Sequence, residues 1–265
     1  MGILDLAGRV LEAKLDDAAR AHAPKPPRVD VGLPLNAQIG ALLDLPRAEF
    51  AVLSGSLLTV PKAGQMPIVA VSRIRFARTD EYTLFRFYTD LGADRTAGGQ
   101  RFLQLLVNAS DLADIRDITY YQFLCRQFPV SDDEQAPFRG EGFGLGERNY
   151  DMAEDLLATM PHVCGAIGAL LAGSDAIRFT RDSSGPEYVR PYAGQENRLD
   201  DPVGEKGMTK QVSFMPYVRN LEGGRQERLL ITFDYVETLD GRPAQAVYVD
   251  YLAGLTIDRN KIRVL

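Results

Sequence analysis

Residues 228–237 (RLLITFDYVE) and 244–252 (AQAVYVDYL) decide the reading of the fold. Both are dense in β-branched and aromatic residues, and Asp240-Gly241 between them is a turn signal, so the pair reads as a β-hairpin. Side chains alternate along a strand, which puts Leu229, Ile231, Phe233 and Tyr235 on one face of the first strand and Val247, Val249 and Tyr251 on one face of the second. A two-residue turn at Asp240-Gly241 opposes Phe233 to Tyr248 and sends these two apolar sets to opposite faces. A three-residue loop, Leu239-Asp240-Gly241, opposes Phe233 to Val247 and Ile231 to Val249 and brings the sets together. Matching the faces therefore selects the three-residue loop, with Gly241 left-handed in a G1 bulge and a buried stripe of Ile231, Phe233, Val247 and Val249.

Upstream of the hairpin the strand signal recurs. Residues 68–76, 82–89, 101–107 and 117–128 are short β-prone runs separated by turn residues, so 49–128 reads as a meander. Residues 151–171 carry a helical pattern broken at Met160-Pro161. Residues 1–21 space Ile3, Leu6, Ala7, Val10, Leu11 and Leu15 on one side of an amphipathic helix, and Pro24, Pro26 and Pro27 then forbid its continuation. The expected fold is α+β, mainly antiparallel β-sheet (meander and C-terminal hairpins) with a few helices. The expected division is an N-terminal helix at 1–22, a Pro-rich linker at 23–32 and one β-rich domain at 33–265, with 33–128 and 150–265 as its halves.

The chain has 265 residues, enough for a full core, and its 45% hydrophobic and 25% charged residues are those of a folded globular protein. A net charge of −6 argues against nucleic acid as a partner. Cys125 and Cys164 are the only cysteines and His22 and His162 the only histidines, which leaves little material for a disulfide framework, a zinc site or histidine acid–base chemistry. No run approaches the roughly 18 apolar residues of a membrane span. The expectation is a cytoplasmic protein with no cofactor, no metal site and no catalytic residues assigned. Any membrane contact is peripheral and made through residues 1–21, whose polar face mixes acidic and basic residues.

Two polar segments interrupt the strand pattern. Residues 129–150 hold an acidic run, Asp132-Asp133-Glu134, and glycines at 140, 142, 144 and 146, but the spacing of a dinucleotide or phosphate loop is absent. If this loop holds an anion, Arg139 and Arg148 are its partners. Residues 182–207 gather Tyr188, Arg190, Tyr192 and Arg198, the aromatic and arginine types enriched at binding hot spots. Arg190, Tyr192, Arg198, Arg139 and Arg148 are thus the candidate binding residues. The leading reading is a non-enzymatic binding or scaffold protein that contacts a protein partner or itself. The alternative is an enzyme with a carboxylate- and Arg-lined site formed by the two loops.

Leu33-Pro34-Leu35 with Ile39-Gly40, the strands containing 73–76 and 85–88, the aromatic run at 117–128 and the closing hairpin follow one another in an order that resembles the YjfK-like family of bacterial proteins of unknown function (DUF 2491). The resemblance covers about residues 30–265 and leaves the N-terminal helix outside. It implies a bacterial accessory protein, with a component of a phage-shock-like membrane-stress system as partner, and it carries over no residue roles.

Overall fold

The computed structural model describes residues 26–51, 53–94 and 98–265. The N-terminal helix expected at 1–21 lies outside these residues. Eight strands form a closed antiparallel barrel: β3 (Ala70–Phe76), β4 (Tyr82–Asp94), β5 (Gly98–Asn108), β6 (Asp111–Gln127), β9 (Tyr192–Leu199), β10 (Gly207–Asn220), β11 (Gln226–Leu239) and β12 (Arg242–Thr256). The first four are one meander and the last four a second. Pairing of β6 with β12 and of β3 with β9 joins the two, and pairing of β10 with β11 completes the ring. The two expected halves therefore each supply four strands to a single barrel.

This corrects the expected fold class. Among the described residues strand makes up 50% and helix 14%, and the sheet is not an open α+β layer but closes on itself. Closure removes the edges that an open meander would leave unpaired. It needs no helical layer to cover a face, because the eight strands enclose their own interior. The segment expected as a polar loop at 182–207 contains β9, a barrel strand between β3 and β10.

Much of the barrel wall is covered on both sides, although the outward Gln195 and Asn197 of β9 are exposed. Along β4, Leu84, Arg86 and Tyr88 are buried inside, while the alternate Phe85 and Phe87 are buried outside. This explains why residues 82–89 read as one unbroken β-prone run. On one side the outer face meets Leu43, Leu45, Phe50 and Ile68 from the segment before β3, together with Ile257 and Ile262 from the C-terminal end. The C-terminal β13 (Arg263–Val264) pairs there with β1 (Leu42–Asp44), which also pairs β2 (Gln65–Pro67). On the other side Met215, Tyr217, Leu229, Ile231, Val249 and Tyr251 pack under Met152, Leu156, Leu157, Met160 and Phe179 of the 149–181 segment. Each fully buried Phe, Leu or Ile of these layers contributes roughly 1.5–3 kcal/mol.

That segment holds less helix over 151–171 than expected. It begins as β7 (Asn149–Ala153), continues as short helices at Glu154–Ala158 and Ile167–Leu171 on either side of Pro161, and ends as β8 (Ala176–Arg181). β8 pairs with β7 and with Thr180 and Arg181 opposite Val218 and Tyr217 of β10. The acidic run Asp132-Asp133-Glu134 forms the first turn of a helix at Asp132–Gln135, where Ser131 and Glu134 make a capping box. Residues 28–30 of the expected linker are tied to the body: Arg28 pairs with the buried Asp30, and Val29 N–H donates to the Pro202 carbonyl.

The hairpin at 226–256 keeps the expected pairing of faces but not the expected loop. Leu239 opposes Arg242, so the turn is the two-residue Asp240-Gly241, with φ of 49° and 70°. Positive φ at both central residues is what a type I′ turn requires. A bulge between Val236 and Thr238 then shifts the register, and Phe233 opposes Val249 while Ile231 opposes Tyr251. The two apolar sets do share a face. Ile231 and Val249 are fully buried there, whereas Phe233 and Val247 are half-buried.

Candidate functional site

The barrel interior is divided along its axis. Toward the end bearing the β4–β5 and β11–β12 turns it is filled by charge; toward the opposite end it opens into a cavity.

The charged part is built from charged side chains at inward positions on six strands, with Ser72 added from a seventh, β3. Glu196 (β9) accepts hydrogen bonds from Arg86 Nη1 (2.9 Å), Tyr88 OH (2.7 Å) and Ser72 Oγ (2.6 Å), and Lys210 Nζ lies 3.3 Å away. Lys210 also reaches Asp234 Oδ2 at 3.1 Å. Arg126 is paired through two hydrogen bonds of 2.6 and 2.7 Å with Asp250, and its guanidinium lies 3.5 Å from the centre of the Tyr248 ring. Burial opposes ionisation of Glu196, but Arg86 and Lys210, with the Ser72 and Tyr88 hydroxyls, hold its carboxyl well below the ordinary value. Burial likewise opposes the Lys210 charge, and Asp234 with Glu196 keeps its pKa well above normal. Asp234 goes the other way: burial pushes its carboxyl up, and Lys210 offsets this only in part. Asp234 Oδ1 and Arg86 Nη2 are buried with no hydrogen-bond partner among the described residues. The sequence cue for this cluster is a polar residue at alternate positions of apolar strands, but the strands that meet are remote in the chain.

The cavity at the other end has a volume of about 500 Å³. One wall is aromatic: Tyr192 lies 5.6 Å from Phe214 and 6.3 Å from Phe76 between ring centres. Pro216, Leu230 and Leu106 continue the apolar lining, and Tyr121 and Gln104 add polar groups to it. Tyr121 fits there because Gly254 on the neighbouring strand has no side chain: a Cβ at that position would come within 2.5 Å of the Tyr121 ring. At the rim Arg228 donates to Thr256 Oγ1 (2.7 Å), Asp182 (2.5 Å) and Asp117 (3.3 Å). Gln104 Oε1 accepts from Arg86 Nε at 3.0 Å, so the cavity and the charged cluster touch through this one side chain.

The five residues expected to bind do not converge. Tyr192 alone lines the cavity. Arg198 is buried inside the barrel, paired with Asp200 at 2.8 Å. Arg139 is engaged by Asp132 and Gln135, both at 2.6 Å. Arg148 is exposed, 3.9 Å from the exposed Glu187, and Arg190 is exposed beside Gly140. The two polar segments do meet, through backbone: Arg181 donates to the carbonyls of Gly146, Pro186 and Glu187, and Val189 N–H donates to Gly146 O. A Cβ on Gly146 would stand 2.1 Å from the Val189 carbonyl, so part of the glycine series serves close packing.

Residues 12–263 match the family described as "Protein of unknown function (DUF2491)". The chain belongs to this family. The match begins at residue 12, so DUF2491 takes in part of the N-terminal segment that the resemblance left outside. No curated protein and no solved structure matches the chain. Among the described residues of this DUF2491 member, no helix is long and apolar enough to cross a membrane.

Proposed function

We propose that this DUF2491 protein is a non-enzymatic binding protein whose ligand enters the open end of the barrel. The observation that carries the reading is the 500 Å³ cavity with its Phe76–Tyr192–Phe214 wall. An eight-stranded barrel has room for either packed side chains or one small ligand, and here the interior is packed at one end and hollow at the other. The volume and the mix of an apolar wall with few polar groups are those of small-molecule sites.

The enzyme reading needs carboxylates and guanidinia of the two polar segments to converge on a substrate. Arg139 and Arg181 are instead spent on groups of those same segments, and Arg148 and Arg190 stand apart from the cavity. A protein partner, whether a membrane-stress component or a second copy of the chain, is a separate proposal that rests on the family resemblance. It predicts a reproducible co-purifying protein, or a solution mass above that of one chain.

Native mass spectrometry of protein purified without detergent from the producing cells tests the cavity. We expect a bound small-molecule mass that is lost in Leu106→Trp, which fills the space. A mass retained in that variant, or an empty wild type that also takes up no apolar probe, overturns the reading.

A further inference from the structure

We propose that the barrel cavity takes an uncharged, flat aromatic molecule carrying a carbonyl-type acceptor, seated with the acceptor against Gln104 Nε2 and the Tyr121 hydroxyl. The inference rests on the reading of the cavity as a binding site and names the chemistry it selects.

The argument begins with Gln104. A guanidinium has only donors, so the oxygen of the Gln104 amide must be the atom facing Arg86 Nε at 3.0 Å. This fixes the orientation of the amide and leaves its two N–H donors to the cavity side. Among the described residues Nε2 has no hydrogen-bond partner, and neither does the hydroxyl of Tyr121, which lines the same cavity. Arg86 is itself only 2% exposed, pinned between Gln104 and Glu196, so Gln104 is held from behind by a rigid group. A ligand acceptor placed there meets two donors that no protein group uses.

Charge narrows the class further. The formally charged side chains lining the cavity are Asp117, Asp182 and Arg228, two carboxylates to one guanidinium. Each nitrogen of Arg228 already donates once, to Thr256, Asp182 and Asp117, and the two carboxylates more than offset its charge, so the rim presents no net positive charge to a ligand anion. A carboxylate or sulfonate entering this mouth passes an excess of negative charge and finds only neutral donors at the bottom. A ketone, amide or quinone-like carbonyl obtains the same hydrogen bonds without that repulsion. Flatness follows from the wall, where offset contact with Phe76, Tyr192 and Phe214 rewards an aromatic face.

Two naphthalene dyes of similar size serve as probes: 6-propionyl-2-dimethylaminonaphthalene, an uncharged aromatic ketone, and 1-anilinonaphthalene-8-sulfonate, an anion. Both report entry into an apolar site by a blue shift. We expect saturable binding of the ketone and binding of the sulfonate weaker by about tenfold or more. Gln104→Glu keeps an oxygen for Arg86 but removes the donors, and Tyr121→Phe removes the hydroxyl alone. Each weakens the ketone by roughly three- to tenfold; Tyr121→Phe changes the sulfonate little, whereas Gln104→Glu, which adds a carboxylate to the cavity, weakens the sulfonate as well. Leu106→Trp abolishes both signals. Urea transitions of the variants report whether each folds, and if Gln104→Glu does not, Tyr121→Phe carries the test. Sulfonate binding as tight as ketone binding, or ketone binding indifferent to both polar variants, overturns the ligand class while leaving the cavity reading intact. Failure of both dyes to bind the wild type, or binding untouched by Leu106→Trp, overturns both.

Discussion

Arg86 on β4 and Glu196 on β9 meet at 2.9 Å inside the barrel, across β3, with side chains 2% and 0% exposed. The pair is in place only once β3 and β9 have paired, because β3 carries β9 on one side and β4 on the other. Glu196→Ala leaves Arg86 and Lys210 without this counter-charge in a dry interior. We expect a loss of about 3–5 kcal/mol, read as a lower urea midpoint. An unchanged midpoint would mean that water reaches the cluster.

Acid should act on this cluster with two opposing signs. Glu196 is held below its ordinary value, so its contribution is full above the unfolded pKa of about 4.3 and declines as pH falls below it. Asp234 is held above its ordinary value, so its burial cost is full above the folded pKa and is relieved as pH falls through that value toward 3.8. Asp234→Asn removes the relief. Urea midpoints measured from pH 6 to pH 4 should fall more steeply with acid in this variant than in the wild type; parallel profiles would count against a raised Asp234.

The Tyr121 ring occupies the space that a side chain at 254 would need, with the nearest ring carbon 2.5 Å from the position of a Cβ there. Gly254→Ala should destabilise by about 1–3 kcal/mol through overpacking. In a Tyr121→Leu background the same change should cost less than about half as much, since the colliding ring is gone. Additive costs in the double-mutant cycle would place the strain elsewhere.

Burial pushes the Cys125 thiol up to about 11, so at pH 8 it is almost wholly protonated as well as covered. In a Cys164→Ser background, a thiol-specific disulfide reagent should label Cys125 only as urea unfolds the chain, in step with the loss of structure. Rapid labelling in buffer alone would show that the layer under the 149–181 segment opens readily.

The local part of this architecture was legible because its signals lie within a few residues of one another. Alternation in 228–237 and 244–252 predicted which side chains share a face, and the structure keeps that parity by a different route. One bulge near Glu237 and a two-residue turn do what a three-residue loop was expected to do. Alternation cannot tell these apart, since each moves the register by an even step relative to the other. β9 was hidden for the opposite reason: Tyr192–Leu199 (YAGQENRL) has few β-prone residues, and it is a strand because β3 and β10 flank it. Of the cavity, only Tyr192 was anticipated, as one of several aromatic and arginine residues in a polar stretch.

By itself the sequence determined the meander over 68–128, the hairpin near the C-terminus, the break at Pro161 and the family, whereas 49–60, expected to belong to that meander, begins in a short helix, Arg47–Ala51, and has no strand among its described residues. Tertiary structure alone decided that two meanders close into one ring, that Arg86, Glu196, Lys210 and Asp234 face each other inside it, and that Gln104 and Tyr121 line a hollow end. The physical reason is one of range. Turn chemistry and side-chain alternation act between near neighbours in the chain, whereas closure depends on β3 finding β9 and β6 finding β12, and the interior exists only once those distant pairs have formed.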